Sequence, residues 1–250
     1  MLITKQNNTT ASLLTTSQSK QKICCGIIYS FILFFNLEIA SAQNNITRSI
    51  IFQPYFGNDT LHLNDTLYQN GIALQIEAFK FYITGIELLK NERVVYTEKN
   101  SFHLLDVSEI KSLTIPITTP AKVKFDKIIF NLGIDSLTNV SGVYGGDLDP
   151  TKGMYWTWQN GYINFKLEGK SKVCNTQKNE FQFHVGGYQF PYNTIKSIVL
   201  AMNNKEIMTI RTDIKKLIEE TDLSKQNQVM SPGAEALFLS EKMKNIFSIQ

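Results

Sequence analysis

The chain has few of the residues that usually carry redox or metal chemistry, with three cysteines and three histidines among 250 residues. It also lacks a strong charge, because 25 basic and 22 acidic residues leave a net charge of +3. The common catalytic signatures are missing too, among them the phosphate-binding P-loop, the G-x-S-x-G elbow and the H-E-x-x-H zinc motif. We therefore expect a protein that is not an enzyme and that has no basic surface for nucleic acid.

The first 42 residues are predicted to be a secretory signal peptide, which leaves residues 43–250 as one domain. Lys20 and Lys22 precede an apolar run that is too short to span a membrane, and Ala40-Ser41-Ala42 forms a small-x-small cleavage site before Gln43. We therefore expect a periplasmic or secreted protein with no membrane anchor.

Removal of this segment changes the chemistry available to the mature chain. Two of the three cysteines lie in the segment, so Cys174 alone remains and no intrachain disulfide can form. Three lysines and one glutamate are also lost, which lowers the net charge from +3 to +1. Any site must therefore use imidazole, carboxylate or aromatic side chains instead of a pair of thiolates.

Apolar residues alternate with polar ones along most of the mature chain, which predicts strands. In the segment 72–89, for example, Phe79, Phe81 and Ile83 face one way while Lys80 and Tyr82 face the other. Helical spacing is confined to 213–221, 233–247 and a short piece at 107–112. The segments 195–202 and 206–212 are predicted to form a hairpin. This pattern favours an all-β fold, an antiparallel β-sandwich with short C-terminal helices.

The three histidines are isolated in sequence, so only the fold could bring them together. His103 shares a strand face with Leu105, which is typical either of a hydrogen-bonded core histidine or of a metal ligand. His184 is predicted to point away from the core at the end of a strand, where binding sites are often built. His62 lies among Asn and Asp residues in a predicted loop, where a solvated surface role is the simpler interpretation.

The stretch 145–161 is the densest in polar and aromatic residues. Asp147 and Asp149, together with Asp135, could supply oxygen ligands to a hard cation such as Ca²⁺, although Gly-Gly and Asp-Pro also favour a plain turn. Trp156 and Trp158 are two residues apart and are predicted to share one strand face. They could form an aromatic core patch, a platform for sugar rings or a redox-active pair beside a metal.

Several of these segments together resemble the MbnP-like family of copper-binding proteins associated with methanobactin operons. The resemblance is carried by three stretches of the sequence, which are FNLGIDS at 130–136, GDLDP at 146–150 and GMYWTW at 153–158. It extends to the segments FHLLD at 102–106 and FHVGG at 183–187, so that it covers nearly the whole mature chain.

The resemblance implies an exported β-sandwich that binds copper, in some members beside a tryptophan oxidised to kynurenine by a MauG-like di-haem partner. It implies His103 and His184 as metal ligands and Trp156 or Trp158 as the modified residue. Family members often have a histidine at the end of the first strand, but this chain has none in residues 51–56, and His62 is the nearest substitute. We therefore carry two hypotheses, a non-catalytic copper-binding protein and a module that binds a glycan or a surface partner.

Overall fold

Strands dominate the computed structural model, which describes residues 44–250, and they form two sheets. The predicted signal peptide lies outside the described residues. The strands are β1 (Asn45–Phe56), β2 (Asp59–Thr60), β3 (Leu67–Gln69), β4 (Ile72–Lys90), β5 (Arg93–Thr97), β6 (Phe102–Asp106), β7 (Thr114–Pro120), β8 (Lys127–Leu132), β9 (Tyr155–Trp156), β10 (Gly161–Ser171), β11 (Glu180–Gly186), β12 (Lys196–Ala201), β13 (Ile207–Asp213), β14 (Gln228–Val229) and β15 (Phe247–Ile249).

The smaller sheet has five strands in the order β15-β13-β1-β2, with β7 also paired to β1. The larger sheet has ten strands, and its main path is β12-β8-β4-β10-β11-β14. The long strand β4 organises the larger sheet, because β3, β5, β6, β8 and β10 all pair with it.

Helices are few and short within residues 44–250. They are α1 (Ser136–Val140), α2 (Lys215–Glu219) and α3 (Ala234–Met243), and 3-10 turns occur at Ile110–Leu113, Gly146–Leu148, Pro150–Lys152 and Lys244–Ile246. Between residues 44 and 250 there is no helix with the length and apolar character needed to cross a bilayer. The prediction of an all-β sandwich with short C-terminal helices is confirmed.

The main core lies between the two sheets and is rich in phenylalanine. Phe52 from the smaller sheet packs edge to face against Phe81 and Phe130 of the larger sheet. The predicted alternation in β4 is confirmed, because Phe79, Phe81 and Ile83 belong to this core. Tyr82 belongs instead to a second, smaller core on the opposite face of the larger sheet. That second core positions the segment that contains the tryptophans.

Two details of the predicted topology are wrong. The sandwich is not wholly antiparallel, because β1 pairs with β13 in parallel and β11 pairs with β14 in parallel. The predicted hairpin between 195–202 and 206–212 does not form, because β12 pairs with β8 in the larger sheet and β13 pairs with β1 in the smaller one. The turn between them therefore carries the chain from one sheet to the other.

Candidate functional site

The segment from Gly133 to Gly161 covers one end of the larger sheet and is fastened to it by two buried tyrosines. The Tyr82 hydroxyl donates to the Asp147 carbonyl at 2.9 Å, and the Tyr162 hydroxyl donates to the Leu148 carbonyl at 3.0 Å. Burial is the largest cause that raises the pKa of Tyr82, followed by the nearby Tyr162 and Asp147. Both hydroxyls therefore stay protonated and act as donors that fix this segment in place.

The three aspartates of the predicted cation loop all accept hydrogen bonds from other protein groups, and two of them do so within their own turn. Asp135 caps α1 by accepting from the Thr138 backbone N–H at 2.8 Å. Asp149 caps the next 3-10 turn by accepting from Thr151 at 2.8 Å, and Asp147 accepts from the Leu104 N–H and the Lys152 ammonium. Among residues 44–250 no group of three His, Cys, Asp or Glu side chains is placed to hold a metal ion. Turn geometry accounts for Asp135 and Asp149, and the bonds from β6 and Lys152 account for Asp147.

His103 lies on β6 opposite Ile83 of β4, so it is on the main-core face of the larger sheet. Its Nε2 is 2.8 Å from Glu98 Oε2, and the Ser101 hydroxyl donates to the same oxygen at 2.5 Å. Because an ionised carboxylate can only accept hydrogen bonds, Nε2 carries the proton. His103 therefore has the position of a hydrogen-bonded histidine at the edge of the core.

His184 lies on β11 and points to the opposite face of the sheet from Phe183 and Val185, as its alternation predicts. The residue is 8% exposed, and its Nε2 is 2.5 Å from Glu168 Oε1 on β10. The bond from His184 lowers the pKa of Glu168 to about 2, against the opposing effect of burial. The carboxylate can only accept, so Nε2 carries the proton and, in the neutral ring, Nδ1 keeps its lone pair.

The fold does not bring His103 and His184 to one site. Asp106 of β6 and His184 of β11 stand in the same cross-strand row, with β4 and β10 between them. Three strand spacings of about 4.8 Å each separate those two strands by about 14 Å. His103 is three residues further along β6, so its side chain also points to the other face of the sheet. Metal–ligand bonds of about 2 Å cannot join the two imidazoles to one ion.

His62 follows Leu61 in an exposed loop and is itself exposed. The structure therefore places the three histidines in three different surroundings, which are the edge of the main core, the outer face of the larger sheet and a surface loop.

The cross-strand row that contains His184 is charged along its length. It runs Asp106, Lys80, Lys166, His184, one residue from each of four neighbouring strands. Lys80 pairs with Asp106 at 2.7 Å, and Lys166 pairs with Glu168 at 3.2 Å. Burial alone would raise the pKa of Asp106, but hydrogen bonds from Lys80 and Ser108 outweigh it and lower that pKa. Two adjacent lysines are thus tolerated because each has its own carboxylate.

The two tryptophans lie close together but do not share a strand face. Trp156 ends β9 and is 6% exposed, whereas Trp158 lies in the turn that leads to β10 and is 65% exposed. Their ring centroids are 5.9 Å apart. A β-carbon at Gly186 would stand 2.7 Å from the Trp156 ring, so the indole rests directly on the backbone of β11. Trp156 therefore covers the same sheet face as His184, two residues away along β11.

An aromatic cleft of about 300 Å³ opens beside Trp156. Its wall is formed by residues 187–192, which follow β11, together with the start of β10. Phe190 is almost entirely exposed, at 97%, although it is one of the largest apolar side chains in the protein. The aromatic and proline residues that line the cleft are Trp156, Tyr162, Tyr188, Phe190, Pro191, Tyr192 and Pro232.

Of the residues in the cleft wall, Trp156 was predicted from the sequence as a candidate site residue, and the segment 187–192 was not. The run Tyr188-Gln189-Phe190-Pro191-Tyr192 after a Gly-Gly pair is itself a signal, because it places three aromatic residues in a segment that the glycines and the proline predict to be a turn. Glu168 and the two lysines of the charged row had no signal in the sequence, because cross-strand register cannot be read from one strand.

The protein is thus a two-sheet β-sandwich. Hydrogen bonds from Tyr82 and Tyr162 hold a loop with two adjacent tryptophans over one end of its larger sheet. The family model of MbnP matches residues 45–231, and the chain therefore belongs to the MbnP family. Among solved structures, MbnP from Methylosinus trichosporium is similar in fold, with a TM-score of 0.58 and 15% sequence identity over 78% of this chain and 88% of that one. No curated protein matches the chain in sequence.

Proposed function

We propose that this MbnP-family protein is exported as a non-catalytic binding protein and that a surface glycan binds in the aromatic cleft beside Trp156. The observation that carries the proposal is the exposure of two large apolar rings, Phe190 in the cleft wall and Trp158 beside the lining residue Trp156. Ligand sites are typically concave, lined by aromatic residues and supplied with a few polar groups. Gln159 and Gln189 provide amides at this cleft, which can exchange hydrogen bonds with sugar hydroxyls.

The proposal is tested on a glycan array with the mature protein, residues 43–250. Phe190→Ala should abolish or strongly weaken the signal, because Phe190 lines the cleft, and Trp158→Ala should weaken it, because Trp158 lies beside the lining residue Trp156. Tyr68→Ala is the matched control, since Tyr68 on β3 is as exposed as Trp158, at 64% against 65%, and is far along the chain from the cleft. Binding to no glycan, or loss of binding in all three variants alike, would contradict the proposal.

Export itself has a separate test. Expression of the full chain in a bacterial host with a secretion pathway should yield a processed protein outside the cytoplasm, with Gln43 as its first residue on N-terminal sequencing. An unprocessed chain that stays in the cytoplasm would contradict export while leaving the cleft proposal intact.

Copper is a second candidate ligand, and the observation that favours it is the position of His184. A copper site built on both His103 and His184 does not fit, because they lie on opposite faces of the sheet with about 14 Å between their strands. His184 without His103 is better suited to be a copper ligand. A metal-bound histidine commonly donates its other ring N–H to a carboxylate, and Glu168 accepts that bond here. Copper would supply a soft Lewis acid next to Trp156.

Copper titration of the mature protein distinguishes these two histidines. His184→Ala should lose the binding and His103→Ala should keep it, because only His184 shares a sheet face with Trp156. Equal, weak binding by the wild type and both variants would end the copper proposal.

Peptide mass spectrometry of residues 153–166 would reveal oxidation of a tryptophan to kynurenine, for which a MauG-like di-haem protein is the proposed partner. Trp158 is the more accessible of the two indoles.

A further inference from the structure

Three segments of the mature chain contain no Asp, Glu, Lys, Arg or His at all, and they are 136–146, 153–165 and 185–195. In a chain in which 19% of the residues are charged, segments of this combined length would ordinarily contain several. They include the wall of the aromatic cleft, α1 and the two tryptophans. At their border Asp147 is neutralised by Lys152 at 2.7 Å. Apart from this pair at their border, the three segments present a surface without ionic groups.

The three uncharged segments meet at α1. The Asn139 side-chain oxygen accepts from the Tyr162 backbone N–H at 2.9 Å, and the Ser136 hydroxyl donates to the Tyr188 carbonyl at 2.7 Å. Both contacts come from one side of the helix and join it to the wall of the aromatic cleft. Because a helix turns by 100° per residue, Leu137, Thr138 and Ser141 lie on its other side.

A second cleft, of about 580 Å³, lies along that other side of α1. Leu137, Ser141 and Tyr144 line it together with Asn100 and Phe102 from the start of β6. Leu137 is 74% exposed and Tyr144 is also exposed, so this cleft too offers apolar rings and side chains next to amide and hydroxyl groups. Asp147 also lines this cleft, and its carboxylate is already paired with the Lys152 ammonium at 2.7 Å. The short helix α1 thus lies between a cleft lined by no charged residue and a cleft whose one charged lining residue is paired.

We propose that the ligand is a neutral oligosaccharide long enough to cross α1 and occupy both clefts, an inference that rests on the proposed glycan-binding function. An ionised ligand would lose its hydration here without gaining a free counter-charge, because Asp147 is already paired with Lys152, and that loss is costly. The hydroxyls of a neutral sugar can instead pair with Gln159 and Gln189 in the first cleft and with Asn100 and Ser141 in the second. A helix with its side chains is about 10 Å across, so a single sugar ring cannot reach both clefts.

The test is calorimetric titration of the mature protein with neutral oligosaccharides that range from disaccharide to octasaccharide, drawn from the glucan, mannan or xylan series that the array identifies. Oligogalacturonides of equal length serve as the acidic comparison. We expect affinity to rise with the length of the neutral oligosaccharide. Acidic oligomers of equal length should bind at least about tenfold more weakly than neutral ones. Tyr144→Ala should weaken the octasaccharide but not the disaccharide, whereas Phe190→Ala should weaken both. Tyr68→Ala should change neither, and equal melting temperatures confirm that the variants are folded.

The outcomes separate this inference from the function on which it rests. If neither neutral nor acidic glycans bind the wild type, the proposed function itself fails. If glycans bind and Phe190→Ala weakens them, but acidic oligomers bind as tightly as neutral ones, the neutral-ligand inference is overturned while the proposed function stands. If the octasaccharide binds no better than the disaccharide, or if Tyr144→Ala leaves it unaffected, the ligand does not reach the second cleft and the inference is likewise overturned.

Discussion

Replacing Glu168 by Gln tests the electrostatics of the charged row. The Glu168 carboxylate accepts from His184 at 2.5 Å and pairs with Lys166 at 3.2 Å, and its side chain is 25% exposed. Its pKa is lowered from 4.5 to about 2, chiefly by the bond from His184. At 1.36 kcal/mol per pKa unit, that shift corresponds to about 3 kcal/mol of stabilisation as an upper value. We expect Glu168→Gln to lower the free energy of unfolding at pH 7 by about 2–3 kcal/mol, since it leaves two basic groups without their shared anion.

The pH dependence follows from the direction of the shift. The folded-state pKa of Glu168 lies below its unfolded value, so the stabilisation is complete above about pH 4.5 and is lost as the pH falls towards 2. The difference between wild type and Glu168→Gln should therefore be constant from pH 7 to pH 5 and shrink below that.

The assay is urea unfolding of both proteins from pH 7 down to pH 3, with Glu180→Gln as the control. Glu180 is on the neighbouring strand with a similar side-chain exposure of 27%, but its nearest cation, Lys178, is 4.0 Å away. A surface pair of this kind contributes at most about 1 kcal/mol. If Glu168→Gln cost no more than Glu180→Gln, or if its cost did not change with pH, the Glu168 carboxylate would not stabilise the fold through His184 and Lys166.

Two further substitutions test how the tryptophan-bearing segment is held. Gly186→Ala should destabilise the protein by about 1–3 kcal/mol and shift tryptophan emission, because the new methyl group would lie 2.5 Å from the Tyr162 carbonyl and 2.7 Å from the Trp156 ring. Gly145→Ala, where no atom lies within 4 Å, should be neutral in the same melting experiment, and equal effects would contradict the close approach at Gly186. Asn139→Ala should cost about 1–3 kcal/mol in urea unfolding, because it leaves the buried Tyr162 N–H and Ile134 carbonyl without their partner. Ser141→Ala, which removes one exposed bond within α1, is its control, and a loss as large as that of Asn139→Ala would point to α1 itself instead.

The strands could be predicted from the sequence because alternation is local. Phe79, Phe81 and Ile83 reach the main core while Lys80 and Tyr82 lie on the opposite face, as their spacing requires. The partners of a strand are not local, and this explains the hairpin that does not form. The alternation in β12 and β13 is the same whether the two strands pair with each other or enter different sheets. The parallel pairing of β1 with β13 has no signal in either strand for the same reason.

Within the candidate site, a side chain was predictable only where the alternation of its own strand set its direction. The outward direction of His184 follows from Phe183 and Val185 on either side of it. Its partner Glu168 and the wall that contains Phe190 depend on register and on a turn, so neither could be read from spacing. Alternation predicts the wrong position for Trp158, because the strand ends at Trp156. Trp158 lies in the following turn, where its ring is exposed to solvent.

The most direct test of the account is a tryptophan fluorescence titration. The chain has two tryptophans, Trp156 in the cleft wall and Trp158 packed against it, so the emission reports on this end of the protein. We predict that a neutral oligosaccharide which binds on the array shifts the emission of the metal-free mature protein, and that Phe190→Ala removes the shift. A glycan that binds with unchanged emission, or a shift that persists in Phe190→Ala, would contradict the proposal that the aromatic cleft is the binding site.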